Sequence, residues 1–173
     1  GYIAFYNVDG TLMSAVAAGA LPDKVGFSPD GQYAVVANEG EPNDDYSNDP
    51  EGSITVIDVS GGFDAPVAAT ADFNAFNVGG SKSLTGPVRI SAKAESVAQD
   101  IEPEFIAFSG DASTAFATLQ ENNAVAVIDL ADAEVDAVLG IGFKDYGIPG
   151  NEIDASNKDG GVNFNSWSIY GTY

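Results

Sequence analysis

Two acidic stretches hold the side chains best suited to chemistry. Asn38–Glu51 carries Glu39, Glu41, Asp44, Asp45, Asp49 and Glu51, with Asn38, Asn43 and Asn48 among them. Asp145–Asp159 carries Asp145, Glu152, Asp154 and Asp159 beside Asn151 and Asn157, and runs into Gly160-Gly161. Calcium accepts about six to eight oxygen ligands from carboxylates, amides, carbonyls and water, in irregular geometry. Both stretches offer such oxygens, and gathering their like charges without a cation would be costly. The expected calcium ligands are Glu39, Glu41, Asp44, Asp45, Asp49 and Glu51, with Asp145, Asp154 and Asp159 in the second stretch. Neither stretch has the spacing of an EF-hand loop, and in Asp154–Gly160 the glycine falls out of that register. The bland alternative is a solvated acidic loop in the first stretch and a series of Asx turns in the second.

Much other chemistry is excluded. The chain has no Cys and no His. Thiol nucleophiles, Ser-His-Asp triads and zinc sites built on imidazole or thiolate are therefore absent, and no catalytic residue is nominated. Asp58 and Asp129 end equivalent V-I-D segments, a position suited to accepting backbone N–H groups. Arg89, the only arginine, fits an internal ion pair better than a phosphate clamp. Trp167, Tyr170 and Tyr173 form an aromatic group that could face a ligand, but a hydrophobic plug or a blade contact is expected instead.

Across 173 residues, 26 acidic and 6 basic side chains give a formal charge of −20. Lys24, Lys82, Arg89, Lys93, Lys144 and Lys158 are scattered, so there is no basic footprint for nucleic acid. Anionic membranes are disfavoured for the same reason. No apolar run is long enough to span a bilayer, and no direct membrane insertion is expected. No basic-then-apolar leader opens the chain, which reads as mature or as a fragment.

The elements that must position these residues come as a repeated unit. L-P-D-K-V-G-F-S-P-D-G-Q-Y-A-V-V-A-N-E followed by S-I-T-V-I-D-V, within Leu21–Val59, returns as E-P-E-F-I-A-F-S-G-D-A-S-T-A-F-A-T-L-Q followed by A-V-A-V-I-D-L, within Glu102–Leu130. Self-similarity of this kind marks one supersecondary unit copied along the chain. Its segments are short and apolar, punctuated by Ser28-Pro29-Asp30-Gly31, Asp9-Gly10, Gly61-Gly62 and Gly79-Gly80. The spacing predicts four strands per unit, all-β throughout. Short helices are the alternative at Ala65–Phe76 and Ala92–Asp100, and Val88–Ile90 is a candidate extra strand. Val162–Tyr170 reads as a further strand.

G-x-x-P-x-x-V-x-F-S-P-D-G at Gly19–Gly31, followed by Val56–Asp58, resembles the YVTN-type β-propeller repeat. Longer strings resemble the bacterial choice-of-anchor I family. They are N-E-G-E-P-N-D-D-Y at Asn38–Tyr46, D-P-E-G-S at Asp49–Ser53, S-V-A-Q-D-I-E-P-E at Ser96–Glu104 and L-Q-E-N-N-A at Leu119–Ala124. G-F-K-D at Gly142–Asp145 and D-A-S-N-K-D-G at Asp154–Gly160 agree with it. The second turn departs from the repeat, reading Ser109-Gly110-Asp111-Ala112-Ser113.

The resemblance implies an exported bacterial protein whose full form is a propeller, held to the cell envelope by a variable C-terminal anchor. It implies a β-propeller of four-stranded antiparallel blades, with about two and a half blades in this single partial domain, residues 1–173. Residues 1–20 would end one blade, and 21–100 would form a blade with an acidic insertion and a long linker. Residues 101–145 would form the next blade, and 146–173 an acidic loop and the start of another. Some relatives carry alkaline-phosphatase-like labels, which these residues do not match one by one.

Three functions follow from these readings. The leading one is a calcium-stabilised extracellular or cell-surface module for binding or scaffolding, with a protein or glycan ligand. A calcium-dependent phosphoesterase, alkaline-phosphatase-like or phytase-like, is the rival, though it would want more Arg and Lys to hold phosphate. The third is a structural subunit of an extracellular assembly. Open sheet edges are expected to be covered by remaining blades of the same protein or by copies of the chain.

Overall fold

Small and β-branched residues, interrupted by proline, glycine and Asx turns, fold as antiparallel strands with little helix. The computed structural model describes residues 1–171. β1 (Tyr2–Tyr6) and β2 (Leu12–Ala17) make a hairpin. β3 (Pro22–Phe27), β4 (Tyr33–Asn38), β5 (Ser53–Asp58) and β6 (Val67–Asp72) form a four-stranded antiparallel meander. β7 (Pro103–Phe108), β8 (Thr114–Leu119), β9 (Ala124–Asp129) and β10 (Glu134–Gly140) form a second one in the same order. β11 (Lys144–Asp145) pairs with β12 (Tyr170–Gly171).

The repeat in sequence is a repeat in hydrogen bonding. Ser28 Oγ donates to Asp30 Oδ1 at 2.6 Å and accepts Tyr33 N–H at 3.0 Å. Ser109 Oγ does the same with Asp111, at 2.6 Å, and with Thr114 N–H, at 3.0 Å. The left-handed position of each turn is Gly31 in one copy, φ 71°, and Ala112 in the other, φ 58°. Asp58 Oδ1 accepts Ser60 N–H at 2.8 Å, and Asp129 Oδ1 accepts Ala131 N–H at 2.8 Å. Both V-I-D aspartates therefore serve the strand end, as expected.

Period-two alternation decides how the sheets pack. Val35, Ala37, Ile54 and Val56 point from the first sheet into the core shared with Ile106, Ala115, Ala117, Ala126 and Ile128 of the second. Ala34, Val36 and Ile57 point the other way, against Phe5, Ile3 and Val16 of the β1–β2 hairpin. Three sheets thus stack face to face, with β3 against β7 and with β2, β6 and β10 in series. The far face of the second sheet is bare: Phe105 is 53% and Phe116 37% exposed.

The segment between β6 and β7 differs from expectation. Val67–Asp72 is the fourth strand where a helix was the alternative, and only the single 3-10 turn Asn74–Phe76 follows it. A one-turn helix, α1 (Val97–Asp100), is capped by Ser96, whose Oγ accepts Gln99 N–H at 3.2 Å. Val88–Ile90 is not a strand; Pro87 has no N–H to donate, and the one bridge here is Thr85 to Leu139. Lys82 Nζ bonds Glu134 Oε1 and Val135 O, both at 2.6 Å, and so clips this segment along the β10 edge. Val162–Tyr170 also fails as a strand, giving only the Asn165 bridge to Ile153 and the start of β12. Its polar half is Asn and Ser, and among the described residues no neighbouring strand lies along its length to complete a ladder. Trp167 is 41% exposed, no plug, with Nε1 donating to Ile153 O at 3.3 Å. Tyr173 lies outside the described residues.

Candidate functional site

Antiparallel pairing brings the start of each first strand to the end of its second, and both repeats put acids there. The register of β3 on β4 slips between Pro22 and Lys24, and that of β7 on β8 between Pro103 and Phe105. The residue left over at each bulge is a carboxylate, Asp23 or Glu104. Bulges re-aim side chains and are frequent beside functional sites. Glu39 follows β4 and Glu121 follows β8, so the two repeats share one acidic rim.

Between them lies a polar cavity of about 320 Å³, lined by Glu41, Asp44, Arg89, Asp100, Glu102 and Glu121 among others. Burial pushes Glu102 up to about 7, helped by the charges of Glu121, Glu39, Asp100 and Glu41. Glu104 also rises to about 7, through burial and then a hydrogen bond shared with the Glu121 carboxyl. Burial, then Glu41, Asp23 and Glu121, raise Glu39 as well. Asp100 is raised by burial against the opposing pull of Ser91 N–H, Arg89 and Asn122.

Asn122 ties the floor together. It is fully buried, and its Nδ2 donates to Asp100 O at 2.8 Å, Asp100 Oδ2 at 3.0 Å and Arg89 O at 3.1 Å. Its Oδ1 accepts Glu102 N–H at 3.3 Å. Among the described residues Arg89 makes no ion pair of the expected kind; its Nη1 donates to the Glu121 carbonyl at 3.1 Å. The guanidinium thus holds the turn after β8 in place.

The expected calcium ligands are divided by the fold. Glu39, Glu41 and Asp44 turn toward the rim and its cavity. Asp45 is occupied by Ser47, accepting its N–H at 3.1 Å and Oγ–H at 2.7 Å, which lower its pKa. Glu51 accepts from Asn74 Nδ2 at 3.1 Å. Asp49 lies in a separate cavity with Glu95, Lys93 and Gln99. In the second stretch Asp145 Oδ1 accepts Gly147 N–H at 2.8 Å. Asp154 and Asp159 meet through Asn163, at 3.1 Å each. Among the described residues no group of three carboxylates is drawn together tightly enough to hold a metal ion.

Glu102, Glu104, Glu121, Asp100 and Asn122 were missed by reading acid density along the chain, since they fall outside both stretches. The repeat itself held the signal. Aligning Pro22 with Pro103 pairs Asp23 with Glu104, and antiparallel pairing then brings each beside the acid that follows the second strand.

Repeated four-stranded antiparallel sheets, stacked front to back and sharing an acidic rim, define an all-β repeat module. The chain belongs to the choice-of-anchor I family, whose domain matches residues 1–173. That membership points to a cell-surface or extracellular module. No curated protein matches the chain. Among the described residues no helix is long and apolar enough to cross a membrane.

Proposed function

We propose that the chain is part of a calcium-stabilised β-propeller on the bacterial surface or outside the cell, used to bind or to scaffold. Sheets that stack with like strands alongside one another are arranged as propeller blades are. In that reading β1–β2 supplies the last two strands of one blade, and the bare face of β7–β10 receives another. The observation that carries the calcium reading is the rim cavity, where Glu41 and Asp44 of the insertion face Glu102 and Glu121 of the next repeat. A divalent cation would offset the burial, and after it the mutual repulsion, that raise Glu102 and Glu104 to about 7.

Melting in calcium, and in excess chelator, at about pH 8, one unit above the raised carboxyls, tests this. A cation that binds only the folded state at about a hundredfold excess over its Kd adds about 2.7 kcal/mol. Calcium should raise the midpoint, and Glu102→Gln with Glu121→Gln should abolish the response. An unchanged midpoint, or an equal change with sodium at matched ionic strength, rejects the calcium reading.

A further inference from the structure

The acidic insertion contains the peptide bond Asp49-Pro50, and its surroundings are unlike those of an open loop. Among the described residues Asp49 Oδ1 is buried with no hydrogen-bond partner. The main-chain carbonyl of the same residue accepts Gln99 Nε2 at 2.9 Å. Gln99 is itself anchored in α1 by the Ser96 cap. The adjoining cavity of about 220 Å³ is lined by Tyr46, Ser47, Asp49, Lys93, Glu95 and Gln99. Its one cation, Lys93, sits over the Tyr46 ring at 4.8 Å and forms no ion pair with Asp49.

We propose that Asp49-Pro50 is a self-cleavage site, at which the Asp49 side-chain carboxyl attacks the carbonyl carbon of its own residue. The new C–O bond closes a succinic-type cyclic anhydride. The C–N bond to Pro50 breaks, its electron pair goes to the proline nitrogen, and the carboxyl proton follows, so proline leaves as a secondary amine. Water from the cavity then opens the anhydride, leaving Asp49 with two free carboxyl groups. Proline's tertiary amide nitrogen is the most basic of peptide nitrogens, which makes it the better leaving group once protonated. Gln99 Nε2 donates to the oxygen on which negative charge builds. A nick here would leave the fold standing, because β4 and β5 remain paired from Tyr33–Asp58 to Asn38–Ser53.

Intact-mass spectrometry decides the matter after incubation at pH about 5, on the folded chain and on the same chain in denaturing urea. The expected products end at Asp49 and begin at Pro50, and they form about tenfold faster from the folded chain, where the reacting groups are held in place. Asp49→Asn should abolish the products and Asp49→Glu should slow them, since the larger ring closes less readily. Gln99→Met should bring the folded rate down to the denatured one, with circular dichroism confirming the fold. Equal or slower cleavage of the folded wild-type chain overturns the proposal whatever the variants do, as does persistence of the same fragments in Asp49→Asn.

Discussion

The sheet β3–β6 and the sheet β7–β10 share register, bulge and turn chemistry, yet only the first is covered on both faces. Ala34 through Asn38 are all buried in β4, whereas in β8 burial alternates, with Ala115, Ala117 and Leu119 inside and Phe116 outside. Composition follows environment in part. A-V-V-A suits a strand covered on two sides, and the Thr114 and Thr118 of β8 suit one face in water. β9 does not fit that rule: A-V-A-V-I is apolar on both faces although Val125 and Val127 are only half-buried. In the proposed propeller this is the face that the next blade would cover.

Val56 and Val127 occupy equivalent positions and give the widest test of this difference. Val56→Ala removes a side chain that is 3% exposed and should cost about 2 kcal/mol, read from urea midpoints. Val127→Ala should cost about half of that or less, since water already reaches the site. Equal costs would mean that the second sheet is covered in solution, and the comparison would break there.

The acidic rim sharpens the comparison through pH. Glu102 and Glu104 stand above their ordinary value in the folded state, so between pH 4.5 and about 7 the folded chain holds more protons than the unfolded one. Stability therefore falls as pH rises through that window and levels off above it. For Glu102 the effect should be on the order of 1 kcal/mol once solvent screening is allowed for. Glu102→Gln should flatten this limb in urea titrations across the window, and a wild-type stability that rises from pH 4.5 to 7 would contradict the assignment.

The smallest effect belongs to the turns. Gly31→Ala meets no neighbouring atoms, so its cost of about 1 kcal/mol is conformational. Ala112→Gly should return somewhat less than about 1 kcal/mol, because the buried methyl group is lost as the backbone strain is relieved. Thermal midpoints of the two variants should move in opposite directions.

Much of the strand order was legible because the two copies checked each other. Pro22 against Pro103 and Asp58 against Asp129 marked equivalent strand ends that propensity alone would blur. β6 was harder: V-A-A-T-A-D is rich in alanine, which favours helix in isolation, and only pairing with β5 makes it a strand. The candidate site was half legible. Density of carboxylates located Glu41 and Asp44 but could not show that Asp45 and Glu51 are taken up by Ser47 and Asn74. Those partners are decided by loop closure and by a contact from the 3-10 turn after β6 to the insertion. Glu102 and Glu121 lie on a different repeat, and only tertiary packing brings them to the first.

The ladder between β4 and β5 is complete without help from the residues that join them. Its six pairs run unbroken from Tyr33–Asp58 to Asn38–Ser53. In the second repeat the same junction, β8 to β9, is closed by the short turn through Glu121-Asn122-Asn123. Doubling a flexible loop costs only about 0.6 kcal/mol in closure entropy. The sheet therefore sets little limit on the length of this junction, and what the insertion carries is answerable to the rim it reaches, not to the strands it joins.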